Sequence, residues 1–440
     1  MELRGKRVMV IGLGVSGLAA ARLLAAHGAE LVLADRRTDL AREGFPAGEL
    51  CLGEENPERL KGVDLVVASP GVPPSSSLIR AARAAHIPLI SELELASRFI
   101  SAPIVAVTGT NGKSTVVVLL GAMFRKAGYK TFIGGNLGTP LAEAAATDYT
   151  IVVAEVSSYQ LELIKTFKPR AAIYLNLSDD HLDRYASLEE YGRAKARIFE
   201  NQVPGDWAIL NRDDPQVWHA ADSLAAQVVS FGFARPATRP ALWREGDAIA
   251  FDDGVRHHRV SLAEFKLAGA HNIANAMAAT AGALVMGIDP VAIERALAEC
   301  RGLPHRIEMV VEKNGIRYVD DSKGTNVGAV AEALIASRAP VILLAGGVDK
   351  GGDYAPLIKP LQEKVKLLIL YGASREKMRA ALTGSTAIEV ATTLGEAVAL
   401  AAQRALGGDT VLLSPACSSF DQFKDYAERG RVFQELVRAL

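Results

Sequence analysis

Ile104-Val105-Ala106-Val107-Thr108-Gly109-Thr110-Asn111-Gly112-Lys113-Ser114-Thr115 is the stretch on which the fold turns. Its apolar run reads as a strand, and two glycines and a Lys-Ser pair then open a helix. Gly109 and Gly112 let backbone N–H groups face one anion, while Lys113 reaches outer phosphates. The Ser114 hydroxyl suits Mg²⁺, and the helix directs its positive end at the ligand. The spacing Gly-x-x-Gly-Lys-Ser is two residues shorter than the common Gly-x-x-x-x-Gly-Lys-Ser form. A tight turn with no ligand is the plain alternative, and Lys-Ser at a helix start argues against it. ATP is the expected ligand, held by Gly109, Thr110, Asn111, Gly112, Lys113, Ser114 and Thr115.

Working outward, short apolar runs alternate with helical patterns along the 440 residues, which predicts an α/β chain of parallel sheets. Three blocks emerge, 1–98, 99–300 and 301–440. The first holds strands at Val8–Ile11, before Asp35 and at Asp64–Ala68. The second holds the phosphate loop, strands at Ile151–Val156, Ala171–Leu175 and Trp207–Leu210, and a helix around His271–Met286. Between about 215 and 265 the text turns irregular, as for a small antiparallel excursion. The third block carries strands at Ile316–Val319, Val341–Ala345, Leu367–Tyr371 and Thr410–Ser414. The expected architecture is a Rossmann-like first domain, a central P-loop ATPase-like domain and a Rossmann-like third domain.

Composition narrows the function. A formal net charge of −1 leaves no basic footprint for nucleic acid. The apolar run after the basic N-terminus stops at Ile11, and no 18-residue apolar stretch occurs, so no membrane span is expected. Cys51, Cys300 and Cys417 have neither metal nor disulfide spacing, which fits a reducing cytoplasm.

Gly12-Leu13-Gly14-Val15-Ser16-Gly17 is a second glycine loop between strand and helix, with Asp35 ending the next strand. Alone it reads as a dinucleotide site, yet any nucleotide diphosphate suits it, a nucleotide-sugar included. Later strand ends carry polar loops, where ligands gather in parallel sheets. Glu155 ends one strand in a position that commonly faces Mg²⁺, and His181 stands among Asp179, Asp180 and Asp183 after another. Lys195 lies on the helix that follows, where a solvated face is the bland account. In the third block, 320–326, 346–352 and 414–421 are three such loops along one expected rim.

Taken together, the 108–115 loop, Glu155-Val156-Ser157-Ser158, Asp180-His181-Leu182-Asp183, His271-Asn272-Ile273-Ala274-Asn275 and Asp321-Ser322-Lys323 resemble the Mur ligases. These are ATP-dependent amide-forming enzymes of peptidoglycan synthesis, related to folylpolyglutamate synthase. Ser414-Pro415-Ala416-Cys417-Ser418-Ser419-Phe420-Asp421 and the Rossmann-like first block look most like the D-glutamate-adding branch. The resemblance implies transfer of the ATP γ-phosphate to the carboxylate of UDP-N-acetylmuramoyl-L-alanine, then attack by D-glutamate on the acyl phosphate. It implies Lys113, Glu155, His181 and Lys195 as catalytic residues. Ser114, Glu155 and His181 would hold two Mg²⁺ ions, aided by a CO₂-derived carbamate on Lys195. Asn272, Asn275, Arg306 and Asp321 match positions around ATP. Val15, Ser16, Asp35, Arg36, Arg37, Ser69, Pro70 and Gly71 match the uridine diphosphate end, with Asn136 and His181 nearer the reacting centre. Thr325, Lys350, Ser419 and Phe420 match the pocket of the acceptor amino acid. A cytoplasmic monomer is expected.

Other classes fit less of the chain. An NAD-dependent oxidoreductase would use Gly12 to Gly17 and leave Lys113, Glu155 and His181 without a role. A GTPase-like switch would need an Asn-Lys-x-Asp loop, which the sequence lacks. A sibling ligase for another amino acid, or a folate ligase, stays within the same chemistry.

Overall fold

The computed structural model describes residues 1–40, 44–180, 184–267 and 269–440. Three sheets carry it, and each is built outward from one of the apolar runs. In the first, five parallel strands lie in the order Glu49–Leu52, Glu30–Asp35, Arg7–Ile11, Leu65–Ala68, Leu89–Ser91. Val8, Met9, Val32 and Val66 are fully buried, as expected for strands covered on both faces.

The nine-stranded second sheet places Ile104–Thr108 between Ala171–Tyr174 and Ile151–Glu155, all parallel. Thr131–Gly135 forms one edge, and Trp207–Asn211 and Gln227–Gly232 extend the other side. The irregular stretch holds the expected antiparallel excursion: Ala241–Glu245 joins the sheet parallel to Gln227–Gly232, and Ala248–Asp252 and His257–Ser261 then follow it antiparallel. Helix Lys113–Lys126 follows the strand Ile104–Thr108 across the phosphate loop.

In the third sheet, Ile316–Asp320, Thr410–Leu413, Val341–Gly346 and Val365–Tyr371 are adjacent and parallel, with Ile388–Val390 beyond and Glu308–Lys313 antiparallel at the other edge. Their shared direction puts the loops after Asp320, Gly346 and Leu413 on one rim. Separate apolar cores cover the two faces, one centred on Leu343 and Leu412, the other on Ile342 and Val411.

The chain divides into two compact units. One comprises 1–176, 192–265 and 274–299, and holds the first two sheets; the other comprises 177–191, 266–273 and 300–440. Among the described residues no helix is long and apolar enough to cross a membrane.

Candidate active site

The phosphate loop takes its shape from its glycines. Gly112 sits at φ +85°, the N-cap of helix Lys113–Lys126, and a Cβ there would lie 2.3 Å from the Asn275 Oδ1. Only glycine fits this approach. A side-chain amide ties the loop to the neighbouring strand end: the Asn111 N–H donates to Asn176 Oδ1 (2.8 Å), and Asn176 Nδ2 donates to the Asn111 carbonyl (3.1 Å).

Two amines converge on this loop. Lys113 Nζ donates to the carbonyls of Gly109 (2.9 Å) and Thr110 (2.8 Å). Lys195, only 1 % exposed, donates to the same Gly109 carbonyl at 2.8 Å. Its burial excludes the solvated-face account.

Beside the loop, the Ser114 hydroxyl donates to Glu155 Oε2 at 2.6 Å, and Asn136 Nδ2 donates to Glu155 Oε1 at 2.7 Å. Glu155 is 3 % exposed: the strand end on which it stands turns it inward, onto the hydroxyl expected to face a metal. A hydroxyl and a carboxylate are hard oxygen donors of the kind Mg²⁺ takes. Asn275, 4 % exposed, comes from helix Ala270–Val285, and Asn272 lies on its first turn. His181 lies outside the described residues.

The first glycine loop opens on a cavity of about 440 Å³ in the same unit. Val15, Ser16, Asp35, Arg36, Arg37, Ser69, Pro70, Gly71 and Asn136 all line it. Asp35 is held by its neighbours: Oδ2 accepts from the Leu13 N–H (2.7 Å) and from Arg37 Nη2 (2.9 Å). Burial pushes against ionisation, but the Arg37 and Leu13 hydrogen bonds outweigh it and draw the carboxyl down to about 2. Gly17 is obligatory, since a Cβ there would meet the Gly12 carbonyl oxygen at 1.8 Å. Glu54 and Glu55 also line this cavity, and nothing in the sequence pattern marked them.

In the other unit, Thr325 and Lys350 line a cavity of about 300 Å³ together with Asp179, Asp180 and Asn326. Lys350 Nζ lies 3.4 Å from Asp180 Oδ1 and 3.5 Å from the Thr325 hydroxyl, and Asn326 Nδ2 donates to Asp180 Oδ2 at 3.2 Å. Ser419 and Phe420 are not among the lining residues; Ser419 is buried and Phe420 is 73 % exposed.

Arg306 sits between two left-handed residues, His305 (φ 61°) and Ile307 (φ 47°). Behind it, Asp320 Oδ2 meets His305 Nδ1 at 2.6 Å and accepts from Gln434 Nε2 at 2.9 Å. Asp321 accepts from the Ser414 hydroxyl at 2.6 Å and from the Ile307 N–H at 3.3 Å. Burial raises Asp321 to about 6, against the lowering pull of Arg306. Asp320 belongs to the polar strand-end loop 320–326, and Arg429 is wholly buried; His305 and Gln434 carry no local sequence pattern, because the partners that give them a place lie far along the chain.

Comparison with known proteins assigns all three parts. Residues 6–91 match the MurD-like N-terminal domain of Mur ligases, 107–283 the Mur ligase middle domain, and 305–417 the glutamate ligase domain of Mur ligases. The UDP-N-acetylmuramoylalanine–D-glutamate ligase of Geobacter metallireducens is 46 % identical over 100 % of this chain and 99 % of that protein. The enzyme of the same name from Trichlorobacter lovleyi is 46 % identical over the full length of both. In fold, a pseudomurein peptide ligase type C from Methanothermus fervidus superposes with a TM-score of 0.63 at 19 % identity, over 99 % of this chain and 100 % of that one. Near-half identity across the whole length, with three Mur ligase domain models matched in order along the chain, leaves one conclusion: the chain belongs to the Mur ligase family.

Proposed function

We propose that the chain is the ATP-dependent ligase that joins D-glutamate to UDP-N-acetylmuramoyl-L-alanine in peptidoglycan precursor synthesis. The observation that carries this reading is the convergence of Lys113, Lys195, Ser114 and Glu155 on one glycine loop, in a chain whose full-length relatives bear that activity in their names.

The donor's carboxylate oxygen attacks the γ-phosphorus of ATP, the bond to ADP breaks, and an acyl phosphate forms. The neutral amine of D-glutamate then attacks the acyl carbon, and phosphate leaves from the tetrahedral intermediate as the amine's proton is lost. Both phosphate-bearing partners are anionic, so electrostatic preorganisation dominates. Lys113 swings from the Gly109 and Thr110 carbonyls to the outer phosphates, and the loop N–H groups hold the rest. Ser114 and Glu155 would hold a Mg²⁺ ion, which when bound neutralises phosphate charge. The reading adds a second ion at His181, and a carbamate on Lys195 formed by CO₂ addition to its neutral amine with loss of a proton. The convergence of two amines on the Gly109 carbonyl supports that modification: a carbamate there turns one of two like charges into an anion.

Asn272, Asn275, Arg306 and Asp321 are assigned to ATP on the family resemblance. The uridine diphosphate goes to the cavity lined by Arg36, Arg37 and the Ser69-Pro70-Gly71 loop, where two guanidiniums suit a diphosphate. Thr325 and Lys350 receive a carboxylate of the acceptor, with Lys350 exchanging Asp180 for it; Ser419 and Phe420 join the assignment by resemblance. The enzyme works as a cytoplasmic monomer, a setting its three free cysteines suit.

Phosphate release from ATP with UDP-N-acetylmuramoyl-L-alanine tests the proposal, with D-glutamate set against L-glutamate, glycine, L-lysine and meso-diaminopimelate. Release that depends on D-glutamate is expected. Release with another amino acid keeps the ligase and overturns the acceptor, and no release with any overturns the reaction.

A further inference from the structure

Glu92 and Glu94 stand two residues apart on helix Glu92–Ser97, which leaves the last strand of the first sheet and leads to the strand of the phosphate loop. Both are buried, at 1 % and 0 % exposure, yet their surroundings differ. Glu94 is saturated with donors: the N–H groups of Lys165, Thr166 and Phe167, the Thr166 hydroxyl and the Arg98 guanidinium. Burial opposes its charge, and these donors overcome it and hold its carboxyl below the ordinary range. Among the described residues Glu92 has one donor: its Oε1 accepts from the Ala142 N–H at 2.6 Å, and its Oε2 meets no partner there.

That single bond sits at a sensitive place. Ala142 is in the first turn of the 3₁₀ helix Leu141–Ala146, whose N-cap, Pro140, offers no side-chain acceptor. Glu92 therefore caps this helix from outside. The segment just before it runs from Asn136 to Pro140. There the Gly135 N–H closes onto the Thr139 carbonyl (2.7 Å), and Asn136 bonds to Glu155 through both its backbone N–H and its side chain. Asn136 also lines the 440 Å³ cavity. One end of the segment thus touches both Glu155, the carboxylate beside the phosphate loop, and the nucleotide cavity, and Glu92 fixes the other end.

We propose that Glu92 is a positioning residue for the UDP-bearing donor, whose protonation sets how firmly the 136–140 segment is held. This rests on the ligase reading for its substrate, though not for its mechanics. Neutral Glu92 packs at the helix end. Ionised Glu92 leaves a buried anionic oxygen without a donor, so it favours release of the 3₁₀ helix and of the segment it anchors. Burial lifts this carboxyl to about 7, with the Ala142 N–H lowering it and Glu143 raising it, so the change falls near neutral pH. The other packed elements do little to alter this. Helix Val15–Ala26 has one charged residue, Arg22, whose guanidinium donates to the Gly44 carbonyl. Helix Ser158–Leu161 offers only Tyr159, and strands Leu65–Ala68 and Leu89–Ser91 carry no ionisable side chain. On its own helix, Glu94 is paired with Arg98.

The sign follows from linkage. A carboxyl raised in the folded state contributes stability that is full below its unfolded value of 4.5 and is lost as pH rises through about 7. Two measurements on wild type, Glu92→Gln and Glu92→Ala test the proposal. First, thermal unfolding without substrate at about pH 5 and about pH 8.5: the Tm advantage of Glu92→Gln over wild type is expected to grow at the higher pH, since the amide never ionises. A pH-independent difference overturns the protonation. Second, steady-state kinetics: the wild-type KM for UDP-N-acetylmuramoyl-L-alanine is expected to rise roughly threefold or more across neutrality relative to that of Glu92→Gln, with kcat tracking in both. Glu92→Ala is expected to show a raised KM at every pH. Equal KM profiles for wild type and Glu92→Gln overturn the link to the donor. Failure of wild type to turn over these substrates counts against the ligase reading alone, and the unfolding comparison still decides the protonation of Glu92.

Discussion

Gly112 shows how far a single residue can be argued. Its φ of +85° and the 2.3 Å approach of Asn275 Oδ1 leave no room for a methyl group. Gly112→Ala is expected to weaken ATP binding about tenfold or more, because strain and clash of this kind amount to about 1–3 kcal/mol. Gly14→Ala is the control, since a Cβ there meets nothing within 4 Å, and it should unfold at the wild-type temperature. Equal ATP affinity in Gly112→Ala and wild type, by calorimetry, would refute the steric reading. Lys195→Ala is expected to lose most activity, on the order of a hundredfold, and to regain part of it with added short carboxylic acids. Full activity in that variant would remove Lys195 from the chemistry. Lys113 and Glu155 could be singled out from sequence because a phosphate loop and a strand-end acid are local patterns. Glu92 could not: its one partner is 50 positions away, and no local pattern separates it from Glu94.

Elements are legible in proportion to their burial and their length. The strands at Ile104–Thr108, Ile151–Glu155, Val341–Gly346 and Thr410–Leu413 are buried on both faces, so each writes a continuous apolar run. Leu89–Ser91 and Ile388–Val390 have three residues each, too few to show a period, and Glu308–Lys313 is a half-exposed antiparallel edge. Helix Tyr426–Ala439 makes the same point through Arg429, which is wholly buried. Its guanidinium donates to the Ser322 hydroxyl (2.9 Å), the Ser322 carbonyl (2.8 Å) and the Cys417 carbonyl (3.2 Å), so one side chain pins the loops after two adjacent strands. Arg429→Met leaves those acceptors buried without a donor and is expected to destabilise its unit by about 3–5 kcal/mol. Chemical denaturation followed by a probe in residues 300–440 checks it, and a loss under about 1 kcal/mol would mean that water or a shifted loop replaces the guanidinium.

At the scale of the molecule, punctuation in the sequence reports sheets, whereas shared cores decide which sheets unfold together. Three sheets were foreshadowed by three runs of alternating pattern, but the first and second lie in one compact unit. The contact that helps to join them, helix Glu92–Ser97 against Leu141–Ala146, is made by side chains no period announces. Both the cavity beside the first glycine loop and the phosphate loop therefore belong to one unit, and the Lys350 cavity to the other. A ligand that binds only one unit stabilises that unit by RT ln(1 + [L]/Kd), about 2.7 kcal/mol at a hundredfold excess over Kd. Scanning calorimetry is expected to resolve two transitions, with UDP raising the one that carries residues 1–176 and leaving the other in place. Hydrogen exchange assigns each transition to its residues. If UDP raises protection equally at Val10 and Leu343, the two units unfold as one body, and separate cores do not mean separate stabilities.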